Sequence, residues 1–129
     1  MAARASFVHY RLIFVVLSSA GFVLNACGKH AAPVDPDTQF TATPNPIPIT
    51  DGDFHGVTTL RWTTKKTQYA EIHVNAPDGT LFCALRDTGS CTTGKWVTDG
   101  MTFYLQNTSA PKPTDRSATL AVVTVNTSK

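Results

Sequence analysis

From Thr38 onward the sequence is a succession of short segments rich in Thr, Val, Ile and aromatic residues, separated by Gly, Pro, Asn and Asp. Turn residues recur about every 8 to 12 positions and no segment carries the apolar period of a helix, a pattern typical of sandwiches and barrels. The sequence therefore predicts an all-β fold. We expect seven strands at residues 38–43, 57–63, 69–75, 80–85, 91–93, 101–107 and 118–125.

Alternation along these strands separates a buried face from an exposed one, because successive strand side chains point to opposite sides of a sheet. The predicted core consists of Leu60, Trp62, Ile72, Val74, Phe103, Leu105 and Val123. The predicted outward residues are Tyr69, Glu71, His73, Thr102, Tyr104 and Gln106.

The first and last strands depart from plain alternation. Ala121, Val123 and Val125 form one face of the last strand, but Leu120 and Val122 compete for it. A β-bulge or burial on both faces would resolve this competition. The prolines after the first strand cannot donate ladder hydrogen bonds, so we expect that strand at a sheet edge.

The segment before Cys27 has the organisation of an export signal. Residues 1–11 contain Arg4 and Arg11 and no acidic residue, and the 13 residues from Leu12 to Leu24 are apolar apart from two serines. A basic region followed by an apolar one is typical of a signal peptide. The apolar run is shorter than the roughly 20 residues that a membrane-spanning helix needs.

Leu24, Ala26 and Cys27 resemble a bacterial lipobox, with Asn25 where Ala, Ser or Thr is usual. The resemblance implies cleavage after Ala26 and acylation of Cys27 with palmitate-type chains, and a second acyl chain makes such an anchor stable. Gly28 in place of Asp implies the outer rather than the inner membrane of a two-membrane bacterium. The alternative is cleavage by an ordinary signal peptidase, which would release a soluble periplasmic or secreted protein.

The sequence thus divides into a lipoprotein signal peptide (1–26), a Pro-containing tether (27–37) and a β-sandwich domain (38–129). The tether is rich in Gly, Ala, Pro and Asp and has no hydrophobic period. Of the eleven basic residues two precede Cys27, so nine basic residues face nine acidic ones in the mature part. This balance argues against nucleic acid as a partner.

Three cysteines are an odd number for an exported chain and require an explanation. Acylation of Cys27 leaves Cys83 and Cys91, which flank turn-forming residues and could lie on facing arms of a hairpin. In an oxidising compartment we expect a disulfide, whose nine-residue loop contributes about 2.5 kcal/mol on the chain-entropy model. The alternative is a pair of reduced thiols buried in the sheet.

Four strings carry a resemblance to a family: residues 42–46 (ATPNP), 59–62 (TLRW), 71–74 (EIHV) and 97–105 (VTDGMTFYL). Together they resemble a small bacterial immunoglobulin-like or fibronectin type III-like module over nearly all of the domain. The resemblance implies a seven-stranded antiparallel β-sandwich in which Trp62 fills the core and Phe103 opens the sixth strand. It implies no ligand, because such sandwiches host many functions.

No catalytic constellation is found in the sequence. Asp51, Asp53 and His55 are the best metal candidates, but they offer fewer oxygens than calcium requires, so a polar turn is the preferred interpretation. Neither Ser90 nor Cys91 lies in a nucleophile motif, and no carboxylate pair suits glycoside cleavage. We therefore expect no catalysis, no cofactor and no bound metal, and a small envelope hydrolase is the least favoured function.

The favoured function is a cell-envelope lipoprotein whose domain serves adhesion, envelope structure or partner binding. The alternative is a carbohydrate-binding accessory module, because Tyr69 and Tyr104 are expected to project outward from neighbouring strands. Trp96 would either join them or cap the core. The expected partners are the membrane, through Cys27, and an envelope protein or a glycan.

Overall fold

The computed structural model describes residues 35–129. Within this range the chain forms nine strands and one short 3-10 helix, Arg116–Ala118, and no helix is long and apolar enough to cross a membrane. The all-β class predicted from the sequence is confirmed. The strands are β1 (Gln39–Thr43), β2 (Ile47–Pro48), β3 (Thr59–Thr63), β4 (Tyr69–Val74), β5 (Thr80–Arg86), β6 (Thr88–Thr92), β7 (Met101–Asn107), β8 (Thr119–Val125) and β9 (Thr127–Ser128).

Two antiparallel sheets form the sandwich. The smaller has the order β1-β3-β6 and the larger the order β5-β4-β7-β8, so β1 lies at an edge as the prolines predict. The short strands β2 and β9 form a separate parallel pair. The expectation of purely antiparallel pairing is wrong for this pair, because two-residue strands are too short to leave an alternating pattern in the sequence.

Side chains from both sheets fill the space between them. Five predicted core residues are buried and two pack half-buried against them: Leu60, Trp62, Ile72, Phe103 and Leu105, then Val74 and Val123. Trp62 also connects the sheets, because its Nε1–H donates a hydrogen bond of 2.9 Å to the carbonyl oxygen of Arg86 on β5. This bond satisfies the indole N–H and allows a large, partly polar side chain to lie in the core.

A β-bulge resolves the ambiguity of the last strand. Leu105 pairs with Ala121 and Gln106 pairs with Thr119, which leaves Leu120 as the extra residue on β8. Leu120 and Ala121 are consequently both buried although they are adjacent in sequence. The bulge admitted by the sequence pattern is therefore present, and it re-aims one side chain into the core.

The disulfide between Cys83 and Cys91 is present, but it joins the two sheets. The hairpin expected around this pair is wrong. Thr88 to Ser90, which the sequence pattern assigns to a turn, form the first part of β6 and pair with β3. The chain crosses from one sheet to the other at Asp87, so β5 and β6 are consecutive in sequence without being ladder partners.

The sandwich has two distinct ends. At the entry end, the Asp35 N–H donates to the Leu120 carbonyl oxygen at 2.8 Å and the Asp35 carboxylate lies 3.5 Å from the Lys66 ammonium. β1 and β8 run from this end to the opposite one. The far end carries residues 44–58 and 93–100, which connect strands at their other termini.

Candidate functional site

Tyr69 is the exposed aromatic residue on the outer face of the larger sheet. Its side chain begins β4 at the entry end and is 53% exposed. The Arg86 guanidinium lies 5.6 Å from the centre of its ring, within the range of a cation–π contact. The two residues are directly paired across β4 and β5, so the antiparallel register holds this arrangement.

Tyr104 shares that face but lies apart from Tyr69. β4 and β7 are neighbours, as expected, and Tyr104 is paired with His73, four residues along β4 from Tyr69. At the usual rise per strand residue this separation is about 13 Å. Tyr104 is also half-buried. The two tyrosines therefore form two separate contact points rather than one continuous platform.

Trp96 lies at the margin of the core. Its ring is half-buried, with centroid distances of 5.5 Å to Phe82 in an edge-on arrangement and 6.0 Å to Phe103. Of the two roles open to it from the sequence, the contacts correspond to capping the core. Trp96 does not lie with Tyr69 on the outer face.

His73 is buried, which corrects its interpretation as a surface residue. Its face is the outer one, but only 5% of the residue is exposed. Nδ1 lies 2.9 Å from the Gly79 carbonyl oxygen and Nε2 lies 3.1 Å from Glu71 Oε2. Both ring nitrogens thus face oxygen acceptors, and neither points at a serine or cysteine nucleophile. Polar partners on β4 and in the turn between β4 and β5 allow this imidazole to be buried.

Gln106 is a second outward residue that is buried, against expectation. Its side-chain NH2 donates to the carbonyl oxygens of Pro113 and Asp115, and its amide oxygen accepts from the Thr119 hydroxyl. The long connection between β7 and β8 folds back over this side chain. Alternation gave its face correctly, but strand periodicity contains no information about a loop that covers that face.

The acidic loop at the far end contains an ion pair. The Asp53 carboxylate contacts the Lys95 ammonium, and this hydrogen bond lowers the pKa of Asp53 below its ordinary value. A carboxylate with a lysine partner is a poor ligand for a cation. In the described part of the chain no three His, Cys, Asp or Glu side chains are grouped as metal ligands.

The same loop exposes Phe54, which the sequence interpretation did not single out. Phe54 is 68% exposed and Val57 is 41% exposed, so two apolar side chains project from a segment that otherwise resembles a polar turn. The phenylalanine between Asp53 and His55 is an apolar residue within a polar turn, and this pattern in the sequence was the available indication of an exposed apolar side chain. Large exposed apolar groups that lie together mark interaction surfaces more often than single ones do.

A groove of about 300 Å³ lies beside Phe54 at the far end. Apolar atoms of Pro44, Pro48, Ile49 and Val57 contribute to its lining, and Thr50, His55 and the Asp53–Lys95 pair contribute polar groups. The groove therefore combines apolar side chains with the ion pair, a hydroxyl and an imidazole.

Cys27, the signal peptide and residues 27–34 of the predicted tether lie outside the described residues. The described residues contain the other two cysteines, and both are used in the disulfide. No protein-family model, curated protein or solved structure matched the chain. Function is therefore inferred from the residues and their geometry alone.

Proposed function

We propose that this chain is a bacterial cell-envelope lipoprotein, anchored through Cys27, whose single immunoglobulin-like or fibronectin type III-like domain binds a partner without catalysis. The proposal rests on one observation, which is that two of the three cysteines are joined in a disulfide and the third is not part of it. Cys83 and Cys91 are bonded to each other, so the third cysteine is the one that ends the lipobox-like sequence. Anchoring accounts for that odd cysteine.

The architecture supports the family resemblance. Seven strands of five residues or more are divided into three facing four, and Trp62 from the second of these seven strands lies in the shared core. Such sandwiches present their loops and one sheet face to partners. The entry of the chain at one end would hold the far end away from a membrane to which Cys27 is attached.

Metabolic labelling with an alkyne fatty acid in a bacterial host tests the anchor. We expect the full-length wild-type chain to be labelled and the Cys27→Ala chain to be unlabelled. The matched control is the Cys83→Ala/Cys91→Ala chain, which should keep its label because its lipobox is intact. A wild-type chain without label would refute the proposed anchoring.

A second candidate function is carbohydrate binding on the outer face of the larger sheet. It is favoured by the exposed ring of Tyr69 and the adjacent Arg86 guanidinium, which together offer a stacking surface and hydrogen-bond donors. A glycan array compares the wild type with Tyr69→Ala/Tyr104→Ala. Loss of a specific signal in the variant supports this function, and an unchanged profile eliminates it.

A further inference from the structure

The far end of the sandwich carries a protrusion and a groove on one surface. We call this surface the far-end patch and define it by Phe54, Val57, the Asp53–Lys95 ion pair and the adjacent groove of about 300 Å³. Phe54 does not line the groove beside it, and its ring is 68% exposed. The phenyl ring is therefore largely exposed to solvent and does not fill this groove within its own domain.

The groove has the character of a site for an apolar side chain. Pro44, Pro48, Ile49 and Val57 supply apolar atoms, and the space is sufficient for one aromatic ring. Such a ring would remove apolar surface on both sides from water, which is the main favourable term in association.

The charged groups of the far-end patch can pair with the same groups on a second copy of the chain. Asp53 and Lys95 place one negative and one positive group side by side at the groove. When two copies meet about a two-fold axis, each surface faces its own duplicate, so a patch with one charge of each sign can match Asp53 of one copy to Lys95 of the other. The equal numbers of acidic and basic residues after Cys27 add no net repulsion between copies.

We propose that the partner of the far-end patch is a second copy of this chain, with Phe54 of each copy inserted in the groove of the other. A reciprocal contact of this kind is closed and symmetric, so it forms dimers rather than filaments. A contact built on one aromatic ring and one groove on each copy belongs with transient interfaces, and Phe54 is its central aromatic anchor.

The position of the far-end patch fixes how the two paired copies are oriented. The patch lies at the end of the sandwich opposite to Asp35, where the chain enters. Two copies joined at their far ends would therefore have their entry ends directed outward. That they would connect two opposed membranes rests on the proposed anchoring at Cys27, whereas the pairing itself does not.

Site-specific photo-cross-linking in the full-length chain tests the pairing. Phe54 is replaced by p-benzoylphenylalanine, cells are irradiated, and products are separated by mass and sequenced by mass spectrometry. We expect a product of twice the chain mass that joins position 54 to residues 44–57 or to Lys95. The matched control is the same replacement at Leu85, an apolar residue of the entry end that is 43% exposed, which should give no such product.

Exchanging the charges of Asp53 and Lys95 distinguishes a direct contact between two far-end patches from a chance encounter of two chains. Asp53→Lys alone and Lys95→Asp alone, each in the cross-linker background, should lower the yield of cross-linked pairs about tenfold, the scale of a lost anchor contact. Co-expression of the two variants should restore the yield, because opposite charges then meet between copies.

The proposed pairing would be overturned if position 54 cross-linked only to other molecules. It would also be overturned if neither Asp53→Lys nor Lys95→Asp lowered the yield of cross-linked pairs. Measurement of both fatty-acid label and cross-linked pairs in the chain that keeps Cys27 distinguishes the two proposals. Cross-linked pairs without fatty-acid label would refute the anchoring alone, and label without cross-linked pairs would refute the pairing alone.

Discussion

At the scale of single residues, Gln106 shows how a polar side chain can be fully buried at low cost. Its three hydrogen bonds reach the main chain at Pro113 and Asp115 and the hydroxyl of Thr119. In the described part of the chain no buried side-chain polar atom lacks a partner. The Gln106 amide thus fixes the later part of the connection between β7 and β8, while the hydroxyls of Thr108 and Ser109 bond its beginning to Tyr69 and Thr67.

Gln106→Met, which keeps the length of the side chain and removes its amide, should destabilise the domain by about 3 kcal/mol because several buried polar groups lose their partner. The free energy of unfolding in urea measures the effect. Gln39→Met is the matched control, since Gln39 is exposed on β1, and it should change stability by less than about 0.5 kcal/mol. Equal effects at the two positions would contradict the role of Gln106.

At the scale of elements, the crossing from β5 to β6 is a connection between the two sheets that several interactions reinforce. Cys83 and Cys91 are bonded across the sandwich, and the Trp62 indole donates to the Arg86 carbonyl oxygen near the same crossing. The Asp87 N–H also donates to the Gln68 carbonyl oxygen at 3.0 Å. Three different interactions therefore fix one short connection.

Removal of the disulfide should weaken the domain without changing its strands. Cys83→Ala/Cys91→Ala is expected to lower the free energy of unfolding by about 2.5 kcal/mol, because the bond closes a short loop in the unfolded chain. Circular dichroism and urea denaturation measure the two properties. Dithiothreitol should reproduce the loss in the wild type and leave the variant unaffected, and a reductant effect on the variant would contradict this account.

At the scale of the whole molecule, both sheets contribute to one core. Leu60 and Trp62 of the smaller sheet pack in the same cluster as Ile72, Phe103 and Leu105 of the larger sheet. The smaller sheet has no second layer of its own, so its apolar face is covered only when the larger sheet is in place. Neither sheet is therefore expected to persist alone.

We accordingly expect a single unfolding transition for the domain. In a Trp96→Phe chain the tryptophan fluorescence reports Trp62 at the contact between sheets, while far-ultraviolet circular dichroism reports the strands. The two signals should give the same urea midpoint. Midpoints that differ would show that one sheet survives separation from the other.

Much of the fold was accessible from the sequence because strand alternation depends on neighbouring residues. Phe103 and Leu105 alternate with polar or amphipathic neighbours, and both are buried as this pattern predicts. His73 was placed on the correct face with the wrong exposure, since both of its ring nitrogens have oxygen partners, at Gly79 and Glu71, that strand alternation does not indicate. The candidate site was less accessible, because the groove beside Phe54 forms only when residues 44–57 fold against one another and Lys95 is brought to them from a distant part of the sequence.

The sequence alone determined the all-β class, the main strands and most of the core face, and it favoured a disulfide between Cys83 and Cys91 over two reduced thiols. These follow from local periodicity, turn residues and a count of three cysteines. Only the tertiary structure decided that this disulfide crosses between sheets, that Gln106 is buried and that Phe54 projects beside a groove. Each of these depends on which segments meet in space, and local alternation constrains the face of a side chain without specifying what covers it.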